Sequence, residues 1–254
     1  MTLVPVYYQI KQTIKNWIIN REYVPGDKIP SENELAQRFG VSRLTVRQAI
    51  SHLIQEGFLI SKRGEGTFVT KDEKLLNSFS LEFSGFMDDL FYQISKSKTK
   101  SVTMAKILPP SSIKEKLKIR REDDEVVQIK RVRFLQDNSF AYTINYLPTE
   151  IGSKIKEMDL YKKPLLQIME QDMGIQFTEA FQTIEASFAD QEIAQKLGLP
   201  SGSPILFVER IMYAKHGKPV ELVQSSYRGD VYKYIVRLKS VKRKQGSIWV
   251  HQNK

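Results

Sequence analysis

The residues best suited to chemistry lie in one short segment, SRLTVRQA, which begins at Ser42. If the segment is helical, Val46 and Ala49 turn toward a core and the remaining side chains turn toward solvent. The outward set comprises Arg43, Leu44, Thr45, Arg47 and Gln48. Guanidinium groups form paired hydrogen bonds to guanine or phosphate, hydroxyl and amide groups bond other base edges, and an apolar side chain can contact a thymine methyl group. The segment therefore has the side chains expected of a helix that reads the major groove of DNA.

A helix that reads a groove is held there by a preceding helix that crosses the DNA backbone. The stretch SENELAQRFG supplies one, because Ser31 and Glu34 have the spacing of a capping box and Gly40 can end the helix. A tight turn joins Gly40 to Ser42, and the earlier segment PVYYQIKQTIKNWI has apolar residues at helical spacing. These elements predict a helix-turn-helix with one additional helix before it.

A hairpin follows the helices. The segment FLISKRGEGTFVT has the pattern of two strands around a turn that contains Gly64 and Gly66. Its glycines permit close backbone approach, and the charge of Arg63 suits phosphate or a minor groove. Taken alone, an arginine-rich helix face is often merely solvated and a glycine turn is often only a turn. Their order and spacing within the first 70 residues indicate DNA binding.

Over about residues 5 to 69, these segments closely resemble the winged helix-turn-helix of the GntR family of bacterial transcription regulators. The resemblance implies that the helix beginning at Ser42 reads DNA, that the hairpin is the wing, and that Arg38 lies near phosphate. It also places Glu32 in the signature PSE, where its carboxylate would orient neighbouring basic side chains. Side-chain chemistry and resemblance together predict DNA contacts by Arg38, Ser42, Arg43, Leu44, Thr45, Arg47, Gln48, Arg63, Gly64 and Gly66.

Composition narrows the class of protein. The 254 residues include 39 Lys and Arg against 29 Asp and Glu, a formal net charge of +10 that favours a polyanionic partner. The absence of cysteine excludes disulfides, thiol catalysis and thiolate metal sites. No apolar run approaches the roughly 20 residues of a membrane span, and the segment MTLVPVYYQI lacks the features of a signal peptide. We therefore expect a cytoplasmic protein with no membrane partner.

The pattern changes beyond the first 70 residues. EVVQIKRVRFL and FAYTINYLP read as one hairpin around QDNS, and PILFVERIMYA and PVELVQSSYRG as another around KHGK. With helical segments at LLQIMEQDMG and DQEIAQKLGL, they predict an α+β domain with an antiparallel sheet. The two hairpins are alike in layout, but their sequences do not establish a repeat. The expected division is a winged helix-turn-helix at 1–70, a linker at 71–79, an effector-binding domain at 80–238 and a loose basic tail at 239–254.

The second domain resembles the UTRA effector-binding domain of the HutC subgroup, which is similar in fold to chorismate lyase. The resemblance rests on KRVRF, on NYLP and on the continuous stretch from Ile184 to Asp230. It implies a homodimer on a palindromic operator, double-stranded DNA as one partner, and a small metabolite, often a sugar phosphate, bound in a cleft. The effector contacts that it implies are Ser84, Gly85, Phe86, Arg131, Arg133, Glu221 and Tyr227.

Two questions stay open at this point. Arg131 and Arg133 share one face of a strand and suit an anionic ligand, but they could equally form ion pairs with Glu185 or Glu209. Pro164 and the two leucines after it stand where sugar-phosphate binders tend to have a hydroxyl and a tyrosine, and Thr143 stands where an acidic residue is frequent. An organic acid is therefore an alternative to a sugar phosphate.

The expected function is that of a one-component transcription regulator, a repressor released by a small anionic effector. One alternative is an architectural DNA-binding protein without effector response, and another is a lyase-like enzyme. His52, His216 and His251 show no metal-ligand spacing, and no nucleophile motif of the Gly-x-Ser-x-Gly type occurs. We therefore expect no catalytic residues, no metal and no cofactor.

Overall fold

The computed structural model describes residues 4–72, 81–83, 97–135, 138–236, 238–243 and 246–251. The chain divides into two compact units, of which the first contains Met1–Ser80 and the second contains Leu81–Leu199 and Pro204–Lys254. Most of the segment expected as a linker, 71–79, lies outside the described residues. No helix in the described ranges is both long and apolar enough to cross a membrane.

The first unit has three helices and a hairpin, in the predicted order. The elements are α1 (Val6–Ile19), α2 (Glu32–Phe39), α3 (Arg43–Gln55), β1 (Leu59–Lys62) and β2 (Gly66–Val69). The capping box is confirmed, because the Ser31 hydroxyl accepts from the Glu34 amide while the Glu34 carboxylate accepts from the Ser31 amide. Gly40 ends α2 in the left-handed conformation, at φ 65°.

The core of the first unit joins all three helices to the hairpin. Leu35 of α2 and the α3 residues Val46, Ala49 and Leu53 are completely buried and pack with Ile14 of α1. The α3 positions recur at helical spacing, so one face of this helix is fixed in the core and the opposite face is held at the surface.

The second unit is built on a six-stranded antiparallel sheet in the order β4–β5–β6–β9–β8–β7. The strands are β4 (Lys98–Ile107), β5 (Val126–Leu135), β6 (Asn138–Pro148), β7 (Phe177–Phe188), β8 (Pro204–Ala214) and β9 (Lys218–Arg228). Helix α4 (Ser111–Lys116) follows β4, and α7 (Gln191–Leu197) follows β7. Between β6 and β7 lie α5 (Thr149–Gly152), a 3-10 turn (Glu157–Tyr161), α6 (Leu165–Gln167) and a π-helical turn (Ile168–Asp172). This confirms the predicted α+β class.

The sheet has an internal two-fold arrangement that the sequence did not establish. Each half runs strand, helix, strand, strand, and the two halves meet where β6 pairs with β9, at Ile144 opposite Gln224. The pairing register breaks after Arg133 in one half and after Met212 in the other, so the irregularities fall at corresponding positions. In this correspondence Arg210 of β8 is the counterpart of Arg131 of β5.

The two faces of the sheet have different coverings. On one face α4 packs through Ile113 and Leu117 against Tyr146 and Leu222. On the other face an apolar cluster joins β5 and β6 to the segment between β6 and β7 and includes Val127, Ile129, Leu147, Leu165 and Met169. Because side chains alternate along a strand, the odd-numbered positions of β5 up to Arg133 and of β6 from Ala141 onward share this second face.

Two short pairings complete the second unit. Strand β3 (Leu81–Phe83) pairs in parallel with β10 (Tyr232–Tyr234). Strands β11 (Leu238–Arg243) and β12 (Gly246–His251) form an antiparallel hairpin. The C-terminal segment was expected to be loose, and the described part of it is instead a β-hairpin. The β-branched and aromatic residues Val241, Ile248, Trp249 and Val250 favour strands.

Gly152 offers a test of the packing in the second unit. A Cβ atom at this position would lie 2.3 Å from Cβ of Val127, which is buried on β5. We expect Gly152→Ala to lower the free energy of unfolding by about 1–3 kcal/mol, because the added methyl group overpacks the cluster. Urea denaturation measures the change. Ser153→Ala, at an exposed neighbouring position, serves as the control, and Val127→Ala combined with Gly152→Ala should cost less than the sum of the two single changes.

Candidate functional site

The first turns of α3 form an exposed polar surface. The side chains of Arg43 and Arg47 are 57% and 56% exposed, and Leu44 is 72% exposed. Gln48 is also exposed. The Ser42 hydroxyl caps the helix by accepting from the Thr45 amide. It also lies 2.8 Å from the Thr45 hydroxyl. The helix start is therefore fixed while its outer side chains are left for another molecule.

Glu32, at the start of α2, holds both arginines of this surface. Its carboxylate accepts from Nε of Arg43 at 2.8 Å and from Nε and Nη2 of Arg47 at 3.1 Å. The hydrogen bond from Arg47 is the largest factor that lowers the pKa of Glu32, and the same bond raises the pKa of Arg47. In the described part of the chain, the two Nη atoms of Arg43 and Nη1 of Arg47 make no hydrogen bond, so each guanidinium keeps donors for a ligand.

Four further predicted DNA contacts lie on α2 and on the wing. The Arg38 guanidinium lies 4.4 Å from the ring centroid of Trp17, which in turn stacks on Phe39. On the wing, Arg63 is exposed, and Gly64 and Gly66 adopt φ values of 79° and 122° that side chains rarely tolerate. The wing tip can therefore approach another surface closely with its backbone.

Arg131 and Arg133 of β5, which the resemblance predicts to line a cleft, are buried on the second face of the sheet. Arg131 and Arg133 are only 4% and 6% exposed. Nη2 of Arg131 donates to Oδ1 of Asn145 at 2.8 Å, and Nη1 of Arg133 donates to Oγ of Ser97 at 3.1 Å. Both recorded partners are neutral.

The alternative that these arginines pair with Glu185 or Glu209 is wrong. The register places Glu185 opposite Phe207, so the two glutamates lie on the face that carries α4 rather than on the face of Arg131. Glu209 instead accepts from Nζ of Lys116 at 2.6 Å. Strand alternation therefore keeps both carboxylates away from Arg131 and Arg133.

Glu221 is the carboxylate that shares the buried face with Arg131. It accepts from Nδ2 of Asn145 at 2.6 Å, so Asn145 bridges the two charged groups. Burial raises the pKa of Glu221 although Arg131 and Arg210 lower it. Tyr227, in the row of Arg133, stacks on Tyr232 at 4.2 Å between ring centroids.

Arg210 and Asn145 are site residues that the sequence interpretation missed. Nε of Arg210 donates to Oε1 of Gln182 at 2.7 Å, and the side chain of Arg210 is as buried as that of Arg133. The signal for it was present, since Arg210 stands in its hairpin where Arg131 stands in the first one. Recognising that signal required the strand register, which shows the two-fold arrangement.

The electrostatic balance of this face is uneven. Among the described buried side chains of this face, Arg131, Arg133 and Arg210 contribute three guanidinium groups, and Glu221 contributes one carboxylate. Burial, followed by the nearby Arg133, lowers the pKa of Arg131 to about 9, and burial also lowers the pKa of Arg133. Nε and Nη1 of Arg131 and Oε2 of Glu221 are buried without a hydrogen bond in the described structure. The site therefore offers two donor nitrogens and one acceptor oxygen to an incoming group, together with excess positive charge.

The other predicted positions are placed differently. Ser84, Gly85 and Phe86 lie outside the described residues. Leu165 and Leu166 are buried in the apolar cluster of the second face, and the Thr143 hydroxyl lies 3.2 Å from that of Ser225. No cluster of three or more metal-ligating side chains occurs in the described ranges.

Two family models match the chain. The model described as bacterial regulatory proteins, gntR family, matches residues 6–69, and the UTRA domain model matches residues 93–233. The chain is 33% identical over 245 residues to the HTH-type transcriptional repressor NagR of Bacillus subtilis, with 91% of this chain and 94% of that protein covered. It is 28% identical to the probable fructoselysine utilization operon transcriptional repressor of Escherichia coli K12, with 89% and 91% covered.

Solved structures share the fold. The crystal structure of the possible transcriptional regulator YydK of Bacillus subtilis has a TM-score of 0.54 at 24% identity, with 91% of this chain and 98% of that chain covered. The crystal structure of PhnF of Mycobacterium smegmatis has a TM-score of 0.52 at 21% identity, with 92% and 100% covered.

The excess of buried guanidinium groups on this face leads to a testable expectation. Inorganic phosphate should raise the thermal stability of the protein more than chloride at equal ionic strength, because it supplies acceptors and negative charge to buried guanidinium groups. At a concentration of about 100 times its Kd, a bound ligand adds about 2.7 kcal/mol. Because burial lowers the pKa of Arg131 to about 9, the increment should diminish as the pH rises past that range and the guanidinium holds less charge.

Thermal unfolding of wild type, Arg131→Met and Arg120→Met provides the measurement. Arg120 is exposed and should leave the phosphate increment intact, whereas Arg131→Met should reduce it. An equal increment in all three proteins would show that phosphate acts on the general surface.

Proposed function

This chain belongs to the gntR family of bacterial regulatory proteins, and from that premise we propose that it binds a palindromic operator as a homodimer and is released by a small anionic effector. It is a DNA-binding transcription regulator with a UTRA domain and not an enzyme. Its relatives include transcriptional repressors, and we assign it the same role in the cytoplasm.

DNA recognition in this proposal is carried out by the exposed start of α3. Arg43 and Arg47 keep free guanidinium donors for guanine or phosphate, Gln48 and Thr45 can bond base edges, and Leu44 can contact a thymine methyl group. Glu32 orients the two arginines before DNA arrives, which lowers the conformational entropy lost on binding. Arg38 and the wing, with Arg63, Gly64 and Gly66, contribute contacts to the DNA backbone.

The homodimer is proposed because one such surface is small. A single helix-turn-helix reads only a half-site, and a two-fold dimer reads two half-sites about one helical turn or a multiple of it apart. Linking the two surfaces makes the second binding event intramolecular, which multiplies the overall affinity.

The observation that supports an anionic effector is the buried excess of guanidinium groups on the sheet. Three arginines face one carboxylate, and two nitrogens of Arg131 lack a hydrogen bond in the described structure. An anion would complete the contacts of Arg131 and Arg133, and Oε2 of Glu221 would accept from an N–H or O–H of the same molecule. Tyr227 borders this space.

Two classes of effector are compatible with this site, a sugar phosphate and an organic acid. The name of the Escherichia coli relative refers to utilization of fructoselysine, a sugar derivative, which favours a ligand with a sugar part but does not decide between a phosphate and a carboxylate as its anionic group. Leu165 and Leu166 are buried and offer no hydroxyl group to a phosphate, which keeps the second class open. An architectural protein without an effector has no use for buried unpaired cations, so the cleft argues against that alternative.

Release would follow from linkage between the two binding events. An effector shifts the protein between conformations only by its difference in affinity for them, and a coupling free energy of about 1–3 kcal/mol substantially lowers operator occupancy. We propose that the bound effector changes the separation or orientation of the two winged helices in the dimer.

The role of the recognition helix can be tested with Arg47→Ala. If Arg47 forms a bidentate contact with a base, the substitution should weaken operator binding roughly tenfold to a hundredfold and relax the preference at one base position. Binding to a library of operator variants measures both effects. An equal loss on operator and on DNA of arbitrary sequence would assign Arg47 to phosphate instead.

Arg63→Ala is the matched comparison for Arg47→Ala. As a wing contact to phosphate, it should weaken binding to all sequences alike and reduce the salt dependence of log K by about one unit.

The effector site can be tested by operator release. Organic acids and sugar phosphates should be titrated against the operator complex of wild type, Arg131→Ala, Arg133→Ala and Arg120→Ala. The active compound should release wild type and the exposed-site control, while the two cleft variants keep DNA binding but lose release. Full release by a neutral metabolite, or wild-type response in both cleft variants, would show that Arg131 and Arg133 are structural.

A further inference from the structure

The C-terminal hairpin β11–β12 is a feature that the family resemblance does not explain. Its register runs from Leu238 opposite His251 to Arg243 opposite Gly246. The UTRA match ends at residue 233, so the whole hairpin lies beyond it. In the described structure its two strands form a sheet of their own, separate from the six-stranded sheet.

Charge is concentrated in this part of the sequence. Residues 231–254 contain seven basic residues and no acidic residue, so they contribute +7 of the formal net charge of +10 and leave +3 for the rest of the chain. The basic residues are Lys233, Arg237, Lys239, Lys242, Arg243, Lys244 and Lys254. Three of them, Lys239, Lys242 and Arg243, lie on β11.

The described side chains of β11, Leu238 to Val241, are exposed although two of them are apolar. Leu238 is 53% exposed, Val241 is 39% exposed, and Lys239 and Ser240 are exposed as well. A two-stranded hairpin alone is at best marginally stable in water, because it buries little apolar surface. Contact with another molecule would supply the missing stabilisation.

Only a short length of chain separates the first unit from the strand pair that precedes the hairpin. The hairpin follows β10, and β10 pairs with β3, the first described strand after the linker. Leu81 of β3 follows Asp72, the last described residue before the gap, by nine residues. When the winged helix-turn-helix holds DNA, this connection raises the effective concentration of DNA at the hairpin.

We propose that the β11–β12 hairpin binds the DNA backbone and adds sequence-independent affinity to that of the recognition helix. A two-stranded ribbon fits the major groove, and lysine and arginine without neighbouring acids suit phosphate. The same charge makes two copies of the hairpin repel each other, which disfavours self-association through it. This inference rests on the proposed DNA binding and assigns a second contact to it.

The test is a full-length variant with Lys239→Gln, Lys242→Gln and Arg243→Gln. The matched control carries Lys154→Gln, Lys156→Gln and Lys162→Gln, which removes the same charge from exposed positions elsewhere on the second unit. Binding is measured against salt concentration with two probes, a duplex selected by wild type from a random-sequence library and a duplex of arbitrary sequence. Circular dichroism confirms that each variant is folded.

The hairpin variant should lose the same factor of affinity on both duplexes, and the slope of log K against log salt should fall by about 2–3 units for three lost phosphate contacts. The control should change the slope far less. A second variant, with Lys239→Arg, Lys242→Arg and Arg243→Lys, keeps the charge and should bind as wild type does.

Several outcomes would overturn the inference. Equal slopes in the hairpin variant and the control would remove the hairpin from the DNA contact. A change in the sedimentation mass of the free protein would place the hairpin between copies of the chain, and loss of binding to phosphatidylserine vesicles with unchanged DNA binding would assign it to a membrane surface. Failure of wild type to bind any duplex would instead refute the proposed function itself.

Discussion

Burial of positive charge is the constraint on which the second unit depends. A guanidinium group that leaves water loses its hydration, and neutral partners such as Asn145, Gln182 and Ser97 restore only part of that free energy. Apolar clusters on both sides of the buried arginines hold the strands in register, and their burial offsets this loss of free energy. An anion bound as we propose would offset part of this cost and so stabilise the folded protein.

The two-fold arrangement of the sheet explains why charged side chains from strands far apart in sequence lie on the same face. Related hairpins place Arg131 and Arg210 at corresponding points on either side of the pair formed by Ile144 and Gln224. The departures from symmetry supply the distinct chemistry, because Glu221 stands where the first hairpin has Ala141. A symmetric core thus carries an asymmetric site that can distinguish the ends of a ligand.

The first unit uses a carboxylate among arginines in a different way. Glu32 lies at the surface, so water screens its bonds to Arg43 and Arg47, and those bonds can exchange for bonds to DNA at small cost. Glu221 is buried, and its interactions with Arg131 are correspondingly hard to replace. One pairing therefore suits reversible docking on a polyanion, and the other suits selective capture of a small molecule.

The sequence by itself determined the elements that depend on neighbours along the chain. The capping box at Ser31, the turn at Gly40 and the outward face of α3 are local, so spacing and residue type were sufficient to predict them. Which groups surround Arg131 depends instead on the tertiary structure. Only strand register could put Glu209 on the far face, bring Asn145 between Arg131 and Glu221, and add Arg210, because contacts between distant strands leave no periodic signal in a single sequence.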